Sequence, residues 1–208
     1  MAPKSLLRIL FQNIMSNTKN LKILAIIPAK GNSKRFYKKN MHRVWGKPMI
    51  YWSIDACKNS TYDIDIWVNT DSNEISEYVK ELEVNVHYRS EHLKDPEIYK
   101  MRIIRDTVRY VVSNYYQPDI VISLQANSPE IKSIHIDSAI KKIIDENLFE
   151  IISVDEKLVQ NGAFRVLKGP NILQKDLSTY CAAFICDITD IHYESDLNLL
   201  GEKNGNNR

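Results

Sequence analysis

Residues 29 to 40 read AKGNSKRFYKKN, which puts Lys30, Lys34, Arg35, Lys38 and Lys39 within ten residues of one another. Gly31 is the sole glycine in that span. A turn built from Ala29, Lys30, Gly31, Asn32 and Ser33 can converge its backbone N–H groups on an anion, and Lys34 adds full charge. Glycine there permits a positive φ and lets a ligand approach the backbone closely. Cations spread over such a length suit a polyphosphate, whose oxygens they would meet at several points. Neither a GxGxxG dinucleotide fingerprint nor a GxxxxGK[ST] phosphate loop occurs. A basic run is more often a solvated face. Here it follows directly on the apolar run ILAIIP, and that position favours a ligand site over the bland reading.

Other residues with chemical potential are sparser. NTDSNE, residues 69–74, offers Asp71 either to a nucleotide or metal, or as the N-cap of a helix with Glu74 as its capping-box partner; the cap is preferred. LQANSPE, residues 124–130, brings Gln125 and Ser128. His42, His87, His92 and His135 lack ligand spacing and read as surface or hydrogen-bonded residues. Cys57, Cys181 and Cys186 form no CxxC pair and fit reduced thiols in a cytoplasmic protein, with Cys57 in the core.

These residues need a frame that brings them together. Apolar runs at 21–28, 64–70, 84–88, 119–125 and 149–154 predict strands, and helical spacing fills the gaps at 46–60, 72–83, 98–116 and 134–147. The alternation predicts an α/β fold, a doubly wound and mostly parallel sheet with helices on both faces. Ligands bind such sheets beyond the carboxyl ends of the strands. Residues 29–40, 70–72 and 125–129 all fall at predicted strand ends, the strongest pointer to one site. Trp45, Trp52 and Trp67 lie in apolar patterns and are assigned to the core.

With 208 residues, 44% hydrophobic and 26% charged, the chain suits one domain over residues 21–208. Residues 1–20 read as an N-terminal extension, disordered or added by an upstream start, with Met15 as the alternative start. A net charge of +2 argues against bulk nucleic-acid binding. No run nears the roughly 20 apolar residues of a membrane span.

The phrases IIPAKGNSKRFYKKN, GKPMIYWSI, VNTDS, YRSEHLKD and LQANSPE resemble, in order and spacing, the motifs of the CMP-acylneuraminate synthetases, IIPARGGSKRxxxKN, GKPLIxWSI, STDxxxI, RPxxLxxD and LQPTSPL. The resemblance implies a Rossmann-like nucleotidyltransferase fold that transfers CMP from CTP to the anomeric hydroxyl of a 2-keto-3-deoxy sugar acid, with Mg²⁺ or another divalent ion on the phosphates. It assigns Lys30 and Lys39 to catalysis. Ala29, Gly31, Asn32, Ser33, Lys34, Asn40, Arg89, Gln125 and Ser128 would bind the nucleotide. Lys30 stands where the family carries arginine, so the planar fork is lost.

DIHYESDLNLLGE, residues 190–202, resembles the family's DIDTEEDLxLAE. Asp190 keeps the first metal position and His192 replaces the second; imidazole is a poor partner for a hard ion. Glu194 and Asp196 read as the acidic start of a helix. The family's long segment before NGA is missing, since Val154 runs almost directly into Asn161, Gly162 and Ala163. Asn127 and Glu130 also depart from PTSPL. The arm that pairs two subunits therefore goes missing with the acceptor contacts, and a homodimer stays open. Two alternatives stand beside the transferase: a catalytically weak nucleotide-binding module, and a nucleotidyltransferase of other specificity.

Overall fold

Ile23–Ala29 forms β1, an interior strand of the sheet, with every residue buried except Pro28. It pairs in parallel with β4, Ile64–Thr70, on one side and with β6, Ile120–Leu124, on the other. The β4 ladder continues to Ala29, whereas the β6 ladder stops at Ile26. Pro28, which cannot donate to a ladder, therefore lies where β1 has already parted from β6. That divergence opens the carboxyl end of the sheet at the point where the winding reverses, the place where doubly wound folds keep their ligands.

The computed structural model describes residues 21–95 and 98–201. The expectations for residues 1–20 and for the polar tail 202–208 lie outside the described residues. The remaining strands are β2, Arg43–Val44, β3, Lys47–Pro48, β5, Asn85–Tyr88, β7, Glu150–Val154, β8, Gln160–Lys168, and β9, Cys181–Ile185. The helices are α1, Met49–Lys58, α2, Asn73–Glu81, α3, Lys100–Asn114, and α4, Ser133–Asp145. A seven-stranded sheet runs β5-β4-β1-β6-β8-β7-β9. β8 is antiparallel to both neighbours and the other pairings are parallel, which makes the sheet mostly parallel.

Helices cover both faces. Ile50 and Ile54 of α1, Ile75 and Val79 of α2, and Ile136 and Ile140 of α4 share one core with alternate residues of β1, including Ala25 and Ile27. Ile104, Val108 and Val111 of α3 pack on the opposite face against Leu24, Ile26 and Val121. The period-two alternation of β1 thus serves two cores at once.

β8 and β9 lie outside the five strands that the sequence pattern predicts. β8 carries Asn161, Gly162 and Arg165, which break an apolar run. Arg165 is tolerated because its Nε donates to the carboxylate of fully buried Glu150. β9 is an edge strand and only half buried. The hairpin β2–β3 was also unforeseen; its two-residue turn, Trp45 and Gly46, takes positive φ at both positions, as a tight hairpin demands. Trp45 is therefore 39% exposed, not core; Trp67 is buried and Trp52 half-buried. Where the resemblance implies a long segment, Asp155–Val159 makes a tight turn closed by the Asp155 N–H on the Val159 carbonyl at 2.9 Å.

Candidate active site

The loop after β1 is held from within. Asn40 is buried, and its Nδ2 donates to the Lys30 carbonyl at 2.9 Å, closing the loop on itself. The Gly31 N–H donates to Asp71 Oδ1 at 2.7 Å. That amide was expected to face an anion; it is already taken by a carboxylate. Nor does Gly31 occupy positive φ. It is glycine because a Cβ would meet the Ser72 Cβ at 2.7 Å. Asp71 is not the N-cap of α2 either. Ser72 holds that place, its Oγ accepting from the Ile75 N–H at 3.4 Å, and Glu74 pairs with Lys38 at 2.7 Å. Aspartate is the stronger acceptor for the loop amide, and serine, one residue on, serves the helix.

Three cations are drawn inward around this loop. The Lys30 ammonium reaches the Lys94 carbonyl at 3.3 Å. The Lys39 ammonium reaches the Ile191 carbonyl at 2.6 Å, and burial pulls it below its ordinary value against the attraction of Asp190. Arg89 is buried beneath the loop, with its Nε on Asn69 Oδ1 at 3.0 Å and an Nη on the Asn69 carbonyl at 3.3 Å. Burial lowers its guanidinium, opposed by Asp71. Asn32 and Lys34 stand exposed and Ser33 half-exposed; Ala29, the last residue of β1, is buried.

The loop after β6 adds the neutral groups. Gln125 Nε2 donates to the Gly162 carbonyl at 2.6 Å, and Ser53 Oγ donates to the Gln125 carbonyl at 2.6 Å. Gly162 has φ of +72°, and a Cβ on it would lie 2.4 Å from Gln125 Nε2, so glycine is required there. Ser128 is 1% exposed, and its Oγ lacks a hydrogen-bond partner among the described residues.

The segment after β9 folds across this end. Asn127 Nδ2 donates to Asp190 Oδ1 and to the Ile191 carbonyl at 2.9 Å, and the Ile191 N–H returns a bond to the Asn127 carbonyl at 2.9 Å. Glu130 accepts from the Thr189 N–H at 2.7 Å and the Gly201 N–H at 2.9 Å. Asp196 accepts from the N–H groups of His192 and Tyr193 at 2.7 and 2.8 Å, so it starts the short turn Glu194–Leu199 as predicted. These backbone bonds hold its carboxyl below the usual range.

Asp190 and His192 do not form a metal cage. Their side chains face each other, His192 Nε2 lying 3.1 Å from Asp190 Oδ2, while the other carboxylate oxygen is taken by Asn127. Burial raises the Asp190 carboxyl, countered by His192, Lys39 and Lys100. Among the described residues no three His, Cys, Asp or Glu side chains cluster as a metal site. One carboxylate with both oxygens engaged and ammonium groups nearby does not fit a resident divalent ion, which needs several oxygen ligands.

Sequence reasoning missed Lys100. It opens α3, is largely buried, and donates to the Gly162 carbonyl at 3.2 Å. Burial pushes its ammonium down to about 8, against the pull of Asp190. The available signal was a cation in the first turn of a helix with no acid there, which the helix dipole disfavours. Asn127 and Glu130 were visible only as departures from a motif. A hollow lined by Lys22, Asp63, Asp65, Asn85 and Tyr116 lies at the opposite, amino end of the strands and holds none of these residues.

Several known proteins are similar. A family model described as Cytidylyltransferase matches residues 24–171. N-acylneuraminate cytidylyltransferase B of Danio rerio is 31% identical over 130 residues, 62% of this chain and 30% of that protein. The N-acylneuraminate cytidylyltransferase of Streptococcus agalactiae serotype III is 32% identical over 149 residues, 71% of this chain and 35% of that protein. Pseudaminic acid cytidylyltransferase of Campylobacter jejuni serotype O:2 is 29% identical over 125 residues, 60% of this chain and 54% of that protein. The chain thus matches about a third of the length of the first two relatives and about half of the third. Among solved structures, a CMP:2-keto-3-deoxy-manno-octonic acid synthetase complexed with CTP superposes with a TM-score of 0.68 at 14% identity, covering 88% of this chain and 99% of that one. With a family model spanning β1 to the turn after β8, and the sheet it shares with these structures, the chain belongs to the cytidylyltransferase family.

Proposed function

We propose that the protein transfers CMP from CTP to the anomeric hydroxyl of a sialic-acid-like 2-keto-3-deoxy sugar acid. The observation that carries the reading is the gathering of Lys30, Lys39 and Arg89 at one end of the sheet, where the facing carboxylates are Asp71 and Asp190. Burial lowers two of these cations, Lys39 and Arg89, a cost that a polyanion in the cleft would offset. The similarity to N-acylneuraminate and pseudaminic acid cytidylyltransferases supports CTP and the acid as substrates.

In this reading the acceptor oxygen attacks the α-phosphorus. The bond to the β-phosphate breaks, pyrophosphate leaves with the electron pair, and the hydroxyl proton passes to solvent. Lys39 and Lys30 hold phosphate oxygens and stabilise the charge that develops on them. Ala29, Gly31, Asn32, Ser33, Lys34 and Asn40 shape the loop that surrounds the triphosphate; Arg89 supports it from beneath. Gln125 and Ser128 lie beside the nucleoside and the acceptor. A divalent ion would arrive with the triphosphate, since the protein offers it one engaged carboxylate.

The test is a coupled pyrophosphate assay with CTP across N-acetylneuraminate, pseudaminate, legionaminate and 2-keto-3-deoxy-manno-octonate. Pyrophosphate that appears only with CTP and one of these acids is the expected result. Binding of CTP by calorimetry with no turnover on any acid would establish a nucleotide-binding module instead. Equal use of ATP, GTP or UTP would establish another specificity.

A further inference from the structure

Lys100 is a poor fit to its surroundings unless an anion is added. Its ammonium is largely buried at the start of α3, on the face of the sheet opposite α1. The protein acceptor it meets is the Gly162 carbonyl, at 3.2 Å, which already accepts from Gln125 Nε2. No carboxylate lies within ion-pair distance of it among the described residues; Asp190 acts on it from farther off, and Arg165 repels it. The start of α3 repels it too, for Tyr99 provides no side-chain cap and the first turn has no acid. A buried cation kept at such a position is under-compensated by several groups at once. The groups around it, Gln125, the peptide at Gly162 and Asp190 through Gln125, make up its compartment. That compartment lies on the β6–β8 side of the cleft. The basic loop after β1 lies on the other side, reached by Lys30 and Lys39.

We propose that Lys100 is the cation that binds the carboxylate of the acceptor acid, an inference that rests on the transferase reading above. The triphosphate then occupies the β1 side and the acid the β6–β8 side, with Gln125 between them.

The experiment compares each acid with its methyl ester, which keeps the sugar and removes the negative charge. The wild-type enzyme should show KM for the ester roughly 10- to 100-fold above that for the acid, the range of a hydrogen bond to a charged group. K100M should raise KM for the acid into the ester's range, leave the ester unchanged, and keep CTP affinity within about twofold. K100R, which keeps the charge, should retain a preference for the acid. Thermal unfolding checks the fold, and K100M should melt no lower than wild type because it removes a buried charge. Two results overturn the inference while the transferase reading stands: an active K100M enzyme that still prefers acid over ester, or a loss of CTP affinity as large as the loss for the acid. A wild-type protein that binds CTP but uses none of the acids sinks the transferase reading itself, and the inference with it.

Discussion

Gly31→Ala gives the most direct test of how the basic loop is held. An ideal Cβ at position 31 lies 2.7 Å from the Ser72 Cβ and 3.2 Å from its Oγ. Non-bonded carbons rest at about 3.5 to 4.0 Å, so the loop or Ser72 must move by about 1 Å. Neither a χ rotation nor a flexible tip can absorb that, because the clash involves a Cβ fixed by the backbone. The bond from the Gly31 N–H to Asp71, now 2.7 Å, would stretch past hydrogen-bonding range. A bond to a charged acceptor contributes about 1.5 to 3 kcal/mol. Water can replace part of it in this half-exposed loop, leaving a loss of about 1 to 2 kcal/mol. For a chain of this size that lowers Tm by roughly 2 to 8 °C. CTP affinity should fall about tenfold or more, because misplacement by an ångström disturbs every contact the loop makes. The assay is paired calorimetry of unfolding and of CTP binding. Ser72→Gly removes the opposing Cβ, and glycine at an N-cap costs only a few tenths of a kcal/mol, so the double variant should recover most of both losses. A Gly31→Ala protein with wild-type Tm and CTP affinity refutes the reasoning. So does a double variant no better than the single one.

Lys39→Ala should weaken CTP binding by about tenfold to a hundredfold, measured by calorimetry, with Tm shifted by only a few degrees, since the lost bond to the Ile191 carbonyl is balanced by relief of a half-buried charge. Glu150→Ala should lower stability by about 3 to 5 kcal/mol in urea unfolding, because it leaves the Arg165 guanidinium buried and unpaired and strips the Ser178 N–H of its acceptor. His87 stacks on Tyr110 at 4.5 Å, and burial lowers its imidazole below the ordinary 6.5 despite Asp106. The unfolded chain therefore binds this proton more readily than the folded one, and stability should fall as pH drops below 6.5. His87→Gln should flatten that acid limb of the Tm profile; an unchanged limb assigns the loss to other groups.

The sheet was legible because its central strands are buried on both faces. β1, β4 and β6 are near-continuous apolar runs, and their helices keep strict helical spacing. β8 escaped because its polar residues are solved by partners distant in sequence. Arg165 needs Glu150, and Asn161 gives its amide to the Cys186 carbonyl at 2.6 Å. β9 escaped because an edge strand need bury only part of itself. Within the site, spacing identified which residues gather but not what each one touches. Asp71 and Ser72 are adjacent acceptors in sequence, and either could cap α2. The choice is made by Gly31, forty residues earlier, whose amide needs the carboxylate. Lys100 looked like one more polar residue of an amphipathic helix, since burial of its ammonium depends on Gly162 approaching from another strand.

Two of the departures from the LQPTSPL pattern, Asn127 and Glu130, share a cause. Asn127 and Glu130 both turn toward residues 187–201, Asn127 at Asp190 and Ile191, Glu130 at Thr189 and Gly201. Lys39, from the basic loop, meets the same Ile191 carbonyl as Asn127. The segment after β9 is thereby fastened to the β1 loop and the β6 loop at once, directly across the end of the cleft. A threonine in place of Asn127 would supply one hydroxyl donor where the amide serves both Asp190 and the Ile191 carbonyl, and a leucine in place of Glu130 no acceptor for two backbone N–H groups that are otherwise left without one. Asn127→Leu, close in size but without the amide, should therefore free the Asp190 carboxylate, loosen the segment and raise KM for the acid more than for CTP. Equal changes in both would mean that the segment serves the whole cleft rather than its acceptor side.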